Sequence, residues 1–244
     1  MRDEAAFTAC ASAVRQADPD RYFSALFAPE ARRPFLFALY AFNNELARIA
    51  ASVREPMMGE IRLQWWRETL EGARAGTPRA HDVARALAGT FAQLDLPANL
   101  LGAMIDARAL DLLEGTFADR EKRDAYLDAT SANLMRLSAR ILGAGDRLDA
   151  LAHEAGLAYG LAGLLRSRAA GATRAILSER EVQGAASDAA QHLARARKME
   201  KPGAALPAFL PATLVPLYLR NPAKDVTIHR RQIALLGAAM RGRI

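Results

Sequence analysis

"LYAFNNELARIAASVREP", residues 39–56, closes a long apolar helix and decides how the chain is read. The helix restarts after "APE" at 28–30, runs to about Ala51, and is broken by "REPMMGE" at Pro56. A polar strip stands out on it: Tyr40, Asn44, Glu45 and Arg48. What that strip does depends on what surrounds it.

Helical periodicity continues on both sides, and turn signals cut it into about ten segments. "DPD" at 18–20 precedes a helix starting near Arg21. "IRLQWWRETLEGARAG" is amphipathic and ends between Gly72 and Gly76. "HDVARALAGTFAQLD" follows, then "PANLLGAMIDARALDLLEG", with Pro97 at a first-turn position. Asp119 can cap a long helix running to Gly143, and another is expected from about Leu148 to Arg168. "RAAGATRAILSEREVQGAASD" reads as irregular, with a helix resuming near Ser187, and the tail as two short helices around "NPAKD" at 221–225. No repeat, linker or low-complexity block interrupts this. The expectation is an all-α helical bundle forming a single domain over residues 1–244.

Composition agrees. At 244 residues the chain can bury one sizeable core. Ala, Leu and Arg, all good helix formers, dominate, while Val, Ile and Thr are sparse. A formal net charge of +6 favours anionic partners, though most of these arginines read as solvated helix faces. No basic run with interleaved aromatics occurs, so no nucleic acid partner is expected. The one cysteine, Cys10, cannot form an intramolecular disulfide. The N-terminus lacks the basic and apolar regions of a signal peptide, and no apolar run approaches the length of about 20 residues that spans a membrane. The nearest, "ALPAFLPATLVPLYL" at 205–219, is short and carries three prolines. A cytoplasmic protein is expected, peripheral on the inner membrane if it binds one.

"FALYAFNNELARI", "IRLQWWRETLEG", "YLDATSANLMRLSARILG" and "LAGLLR", in that order from about Tyr22 to Tyr218, resemble the squalene/phytoene synthase family. The resemblance implies an isoprenoid-synthase-type bundle around a central cavity. In active members the "LYAF" helix continues with an Arg and a DxxxD motif. Carried over without gaps, that Arg falls on Asn44 and the aspartates on Ala47 and Ala51, with Arg48 where another Asp is usual. Aspartates at i and i+4 share a helical face, and magnesium wants their oxygens to bridge to a diphosphate. Two alanines supply none. The second motif, "NILRD" and a further acidic pair, matches "GLLRSRAAG": Arg166 is kept, Gly163 replaces Asn, Ser167 replaces Asp, and Gly171 falls near the next acid.

The implied pocket lining also departs. The small-residue helix against which a prenyl tail would lie keeps Tyr126 and Arg140 but has Met135 at its last Gly, filling volume. A serine-containing phosphate-contacting stretch becomes "DPDR" at 18–21, whose carboxylates would repel a diphosphate. The degenerate site is expected to comprise Tyr40, Asn44, Glu45, Arg48, Tyr126, Met135 and Arg166, with no catalytic residue, no metal ligand and no cofactor. The polar strip either binds a new polar ligand or cross-links the cavity walls.

Asp124 and Asp128 form a literal DxxxD outside either metal helix and read as solvated surface. Asp106 and Asp111 are expected to serve packing or ion pairs, and Arg67 to pair with Glu45 or Glu60 in the interior. One or both of Trp65 and Trp66 should be core. The four histidines are too scattered for a HExxH-type or zinc site, and no GxSxG, P-loop or GxGxxG motif occurs.

Three functions remain open. The first is a non-catalytic protein resembling the degenerate branch of this superfamily that serves mitochondrial complex I assembly; it implies a protein partner in membrane-complex biogenesis. The second is an active prenyl-diphosphate transferase using Mg2+ through unusual ligands such as Glu45, Asp124 and Asp128. The third is an isoprenoid or lipid carrier using a residual cavity. The tail with Arg220, Lys224, Arg230 and Arg231 suits either peripheral docking on an anionic membrane or packing on the bundle with a basic rim.

Overall fold

The structure is a computed structural model that describes residues 3–113, 115, 117, 119–171 and 177–244. Asp3 caps α1 (Glu4–Ala17) by accepting from the Ala6 amide, and Asp18 caps α2 (Pro19–Ala25) by accepting from that of Arg21. A 3-10 turn leads into α3 (Arg33–Arg48), whose residues Phe35 to Asn43 are all buried. A helix apolar on every side belongs in the middle of a bundle. α3 accordingly packs on α1, on α5 (Asp82–Phe91) and on α8 (Asn133–Ile141). α4 (Pro56–Arg74) begins with proline in its first turn and buries Trp66 against Phe42, while Trp65 is half-buried. α6 (Ala98–Ala107) ends in a 3-10 turn, Arg108–Leu112.

α7 (Arg120–Leu127) and α8 are one continuous rod interrupted by a π-helical turn, Asp128–Ala132. α9 (Asp149–Ala169) packs closely on that turn. A Cβ on Gly156 would lie 2.4 Å from Ala132 Cα, so only glycine fits there. α10 (Glu179–Lys198) begins eight residues earlier than its periodicity predicts. A capping box starts it: the Ser178 hydroxyl accepts from the Glu181 amide, and the Glu181 side chain accepts from the Ser178 amide. α11 (Leu206–Phe209), a 3-10 turn at Leu210–Leu214 and α12 (Val215–Arg220) carry the proline-rich stretch, and α13 (Ile228–Arg241) follows. No strand occurs among the described residues, as an all-α chain requires.

Two apolar clusters form the core. α1, α3, α4, α5 and α6 build the first; α9 to α13 build the second. α8 serves both, with Leu134, Leu137 and Ile141 in one and Met135 and Ala139 in the other. The stretch 205–219 lies largely inside the second cluster, with Phe209, Leu210, Leu214 and Val215 fully buried. Its apolar side chains are therefore not a membrane-docking surface, and the expected basic rim loses Arg231. That arginine reaches inward to the buried Asp20 at 3.0 Å. Asp20 also accepts from Tyr159 at 3.0 Å and from Tyr218, so one carboxylate ties α2, α9, α12 and α13 together. Among the described residues no helix is long and apolar enough to cross a membrane.

Candidate functional site

A cavity of about 650 Å³ opens between α3 and α9. On one side it is lined by Asn43 and Ala47 of α3 and by Ala50 and Ala51 of the 3-10 turn that follows it, Ala50–Ser52. α9 faces it with Tyr159, Gly160, Gly163, Leu164 and Ser167. Ala47, Ala51, Gly163, Ser167 and Gly171 are exposed at the mouth. The floor is polar: Arg21, Asn43, Tyr126, Thr130 and Ser131 are buried there, with Arg108 and Asp111 beside them.

Most of that polarity is internally satisfied. Arg108 donates to Asp111 at 2.9 Å and to Tyr126 Oη at 2.8 Å, and Tyr126 Oη donates to the other Asp111 oxygen at 2.7 Å. Burial pushes the Tyr126 phenol up, so it stays a neutral donor; the Arg108 cation opposes the rise and the Asp111 carboxylate adds to it. Burial alone would lower Arg108, but the Tyr126 and Asp111 oxygens outweigh it and hold the guanidinium charged. Arg21 is paired to Asp18 at 2.6 Å, and its guanidinium lies 4.9 Å from the Tyr159 ring. "DPDR" at 18–21 is therefore electrostatically closed: Asp18 is neutralised by Arg21 and Asp20 by Arg231.

The spare hydrogen-bonding capacity lies elsewhere. Ser131 Oγ, in the π-helical turn, is buried without a partner, and π-turns often mark functional positions. Every cavity-lining cation is paired, and the one lining carboxylate among the described residues, Asp111, is held by two donors. No group of three or more metal-ligating side chains occurs among the described residues. The chemistry on offer is a small-residue mouth over a floor of neutral donors and closed ion pairs.

The structure separates the residues that the sequence grouped. Tyr126 lines the cavity. Tyr40 is buried in the first core cluster, and Met135 in the second. Glu45 and Arg48 pair with each other on another face of α3, over a separate cleft of about 370 Å³ lined by Trp65, Trp66 and His81. They tie together one helix, not two walls. Asn44 is half-buried, and its Nδ2 is without a partner. Arg166 stacks at 4.2 Å on the Tyr218 ring and reaches Asp225 at 3.6 Å. Arg67 pairs with Asp106 at 2.8 Å on the surface, not with Glu45 or Glu60 inside. Asp124 and Asp128 are held in ion pairs: the first with Arg123 and Arg120, the second with Arg136 and His153. Sequence reasoning missed Asn43, Arg108 and Tyr159. Asn43 was within reach, because it sits one turn before Ala47.

Comparisons with known proteins agree with this architecture. A family model described as squalene/phytoene synthase matches residues 14–175, about two thirds of the chain. Complex I assembly factor 6 of NADH dehydrogenase (ubiquinone) from Homo sapiens is 31% identical over 159 residues. That alignment covers 65% of this chain and 48% of the human protein. The Bos taurus protein matches to the same extent, and the Drosophila melanogaster homolog is 28% identical over 165 residues. The match spans about half the length of these relatives. Among solved structures, a ligand-bound dehydrosqualene synthase superposes with a TM-score of 0.78 at 16% identity, covering 98% of this chain and 96% of that one. The squalene synthase HpnC from Alicyclobacillus acidocaldarius gives 0.70 at 18%, covering 98% and 94%. At these identities the structures speak for the fold alone.

Proposed function

The chain belongs to the squalene/phytoene synthase family, and from that premise we propose that it is a non-catalytic member acting as a binding or assembly protein in the biogenesis of a respiratory complex I. One observation carries the first half. The positions onto which the family's two Asp-rich motifs carry over, Ala47, Ala51, Gly163, Ser167 and Gly171, all line one cavity and bring no carboxylate to it. Diphosphate ionisation by magnesium needs hard oxygen ligands on facing helices. Asp111 cannot replace them, because Arg108 and Tyr126 occupy both its oxygens. The residues present do not fit a magnesium cluster.

The second half rests on the relatives named as complex I assembly factors. The family match, residues 14–175, takes in the helices that line the cavity. The chain's own contribution would be a folded surface and a pocket. Deleting the gene in its source organism should lower the amount of assembled complex I on native gels, and restoring the wild-type gene should recover it. Normal assembly in the deletion strain would contradict the assembly role. Titration of the purified protein with farnesyl diphosphate should show no gain in affinity from magnesium. A gain of about tenfold, worth ~1.4 kcal/mol, would mean a metal site is present.

A second reading is favoured by the cavity itself, which remains open and carries the unpartnered Ser131 hydroxyl over an alanine and glycine wall. Such a space suits a lipid or prenyl chain with an uncharged polar head, held without being changed.

A further inference from the structure

α13 buries Leu235 and Ala238 against the second core cluster, so its opposite face should be polar. It is not. Ile233, Leu236 and Met240, at i, i+3 and i+7, point outward and are 70%, 50% and 80% exposed. Beside this strip lies a second cavity of about 580 Å³, remote from the α3–α9 site. Arg197 of α10, Arg241 and Arg243 line it, together with Thr213 and Ile233, and no acidic side chain does. All three arginines are exposed, and none forms an ion pair among the described residues. Gly237 also lines the cavity, and a Cβ there would meet Arg241 Nη1 at 3.2 Å, so the glycine leaves that guanidinium room to lie back over the helix.

Three exposed guanidiniums around one cavity, which Ile244 also lines, concentrate positive potential there, and guanidinium geometry suits phosphate oxygens. Ile233 belongs to both the cavity and the strip, which makes the cationic and apolar features one continuous surface. We propose that α13 docks this protein on an anionic phospholipid membrane, with a lipid phosphate held by Arg197, Arg241 and Arg243 and the strip Ile233, Leu236, Met240 lying among the acyl chains. A free phosphate compound would use the arginines and leave the strip unexplained. Single-stranded nucleic acid would call for aromatic stacking residues, and the strip has none. His229 and Arg230, exposed at the start of α13, extend the basic edge, and the net charge of +6 favours approach to an anionic surface. The inference does not rest on the assembly role.

Vesicle flotation tests it, with phosphatidylcholine vesicles alone and with about 30 mol % phosphatidylglycerol. Wild-type protein should float with the anionic vesicles, stay behind with the neutral ones, and be released by salt near ~0.5 M. Two doubly substituted proteins, R241E/R243E and I233S/M240S, change only exposed groups, and circular dichroism is to check that each is folded. Each should lower partitioning by about tenfold or more, at roughly 1 kcal/mol per basic residue near the surface. Equal binding to neutral vesicles would overturn the proposal. So would unchanged binding of both variants, as would release by millimolar inorganic phosphate with no effect of I233S/M240S, which would mark a site for a soluble anion. Failure of the wild-type protein to float with anionic vesicles, alongside normal rescue of complex I assembly by the wild-type gene, would refute the docking and leave the assembly role standing.

Discussion

Ala47 and Ala51 stand one turn apart on the cavity wall, and Asn43 stands one turn before them. The strip singled out in the sequence, Tyr40, Asn44, Glu45 and Arg48, belongs to neighbouring faces of the same helix. The difference is about 100° of rotation per residue, and at that scale a single step moves a side chain from cavity to core or cleft. Pairings were less legible still, since they depend on residues far apart in sequence: Asp20 with Arg231, Arg67 with Asp106. Asp20 gives the sharpest test at this scale. Asp20→Ala strands the half-buried Arg231 and removes the acceptor for two tyrosines, and should lower unfolding free energy by roughly 3 kcal/mol in urea denaturation. A loss under about 1 kcal/mol would mean the tie is dispensable. Glu154 provides a pH test. Burial would raise its pKa, but His192 at 2.7 Å and Arg195 at 2.9 Å outweigh this and hold it below its ordinary 4.5. A depressed carboxylate stabilises the fold above the unfolded value and loses that contribution as pH falls through the folded one. Glu154→Gln should therefore be less stable than wild type at pH 7 and converge with it below pH 4.5. A constant gap across that range would contradict the ion pair's role.

At the scale of elements, most helices were legible from periodicity and turn signals, and two misreadings have different causes, one local and one tertiary. α10 was expected near Ser187 but starts at Glu179, and its signal, Ser178 followed three residues later by Glu181, was present in "SERE". The expected single helix from Asp119 to Gly143 is broken by the π-helical turn at Asp128–Ala132, which packs on glycines of a later helix and so leaves no local trace. Two glycines of α9 should behave differently for that reason. A Cβ on Gly156 meets the backbone of Ala132 at 2.4 Å, which cannot step aside, whereas one on Gly160 meets the end of the Leu127 side chain at 2.8 Å, which can, and Ser131 Cβ only at 3.2 Å. Gly156→Ala should cost about 2–3 kcal/mol or more, and Gly160→Ala about 1 kcal/mol or less, by thermal or chemical unfolding. Equal costs would contradict the close approach.

At the scale of the whole molecule, the order of four sequence segments was enough to place the family and the all-α bundle, because each segment is a helix that cannot bury its apolar face without the others. The destination of the tail was not legible. "ALPAFLPATLVPLYL" has the composition of a membrane-seeking segment, yet it fills the second core cluster, while exposed apolar side chains fall on α13 and on the first turns of α4, at Met57, Met58 and Ile61. Hydrophobicity says that a segment leaves water, not which apolar surface receives it. The central claim is that this family fold keeps its cavity without the chemistry of diphosphate ionisation. Pyrophosphate release from farnesyl and geranylgeranyl diphosphate, with magnesium or manganese and NADPH present, tests it most directly. No release above the protein-free rate, from protein shown folded by circular dichroism, is the expected result; sustained release abolished by EDTA would contradict it.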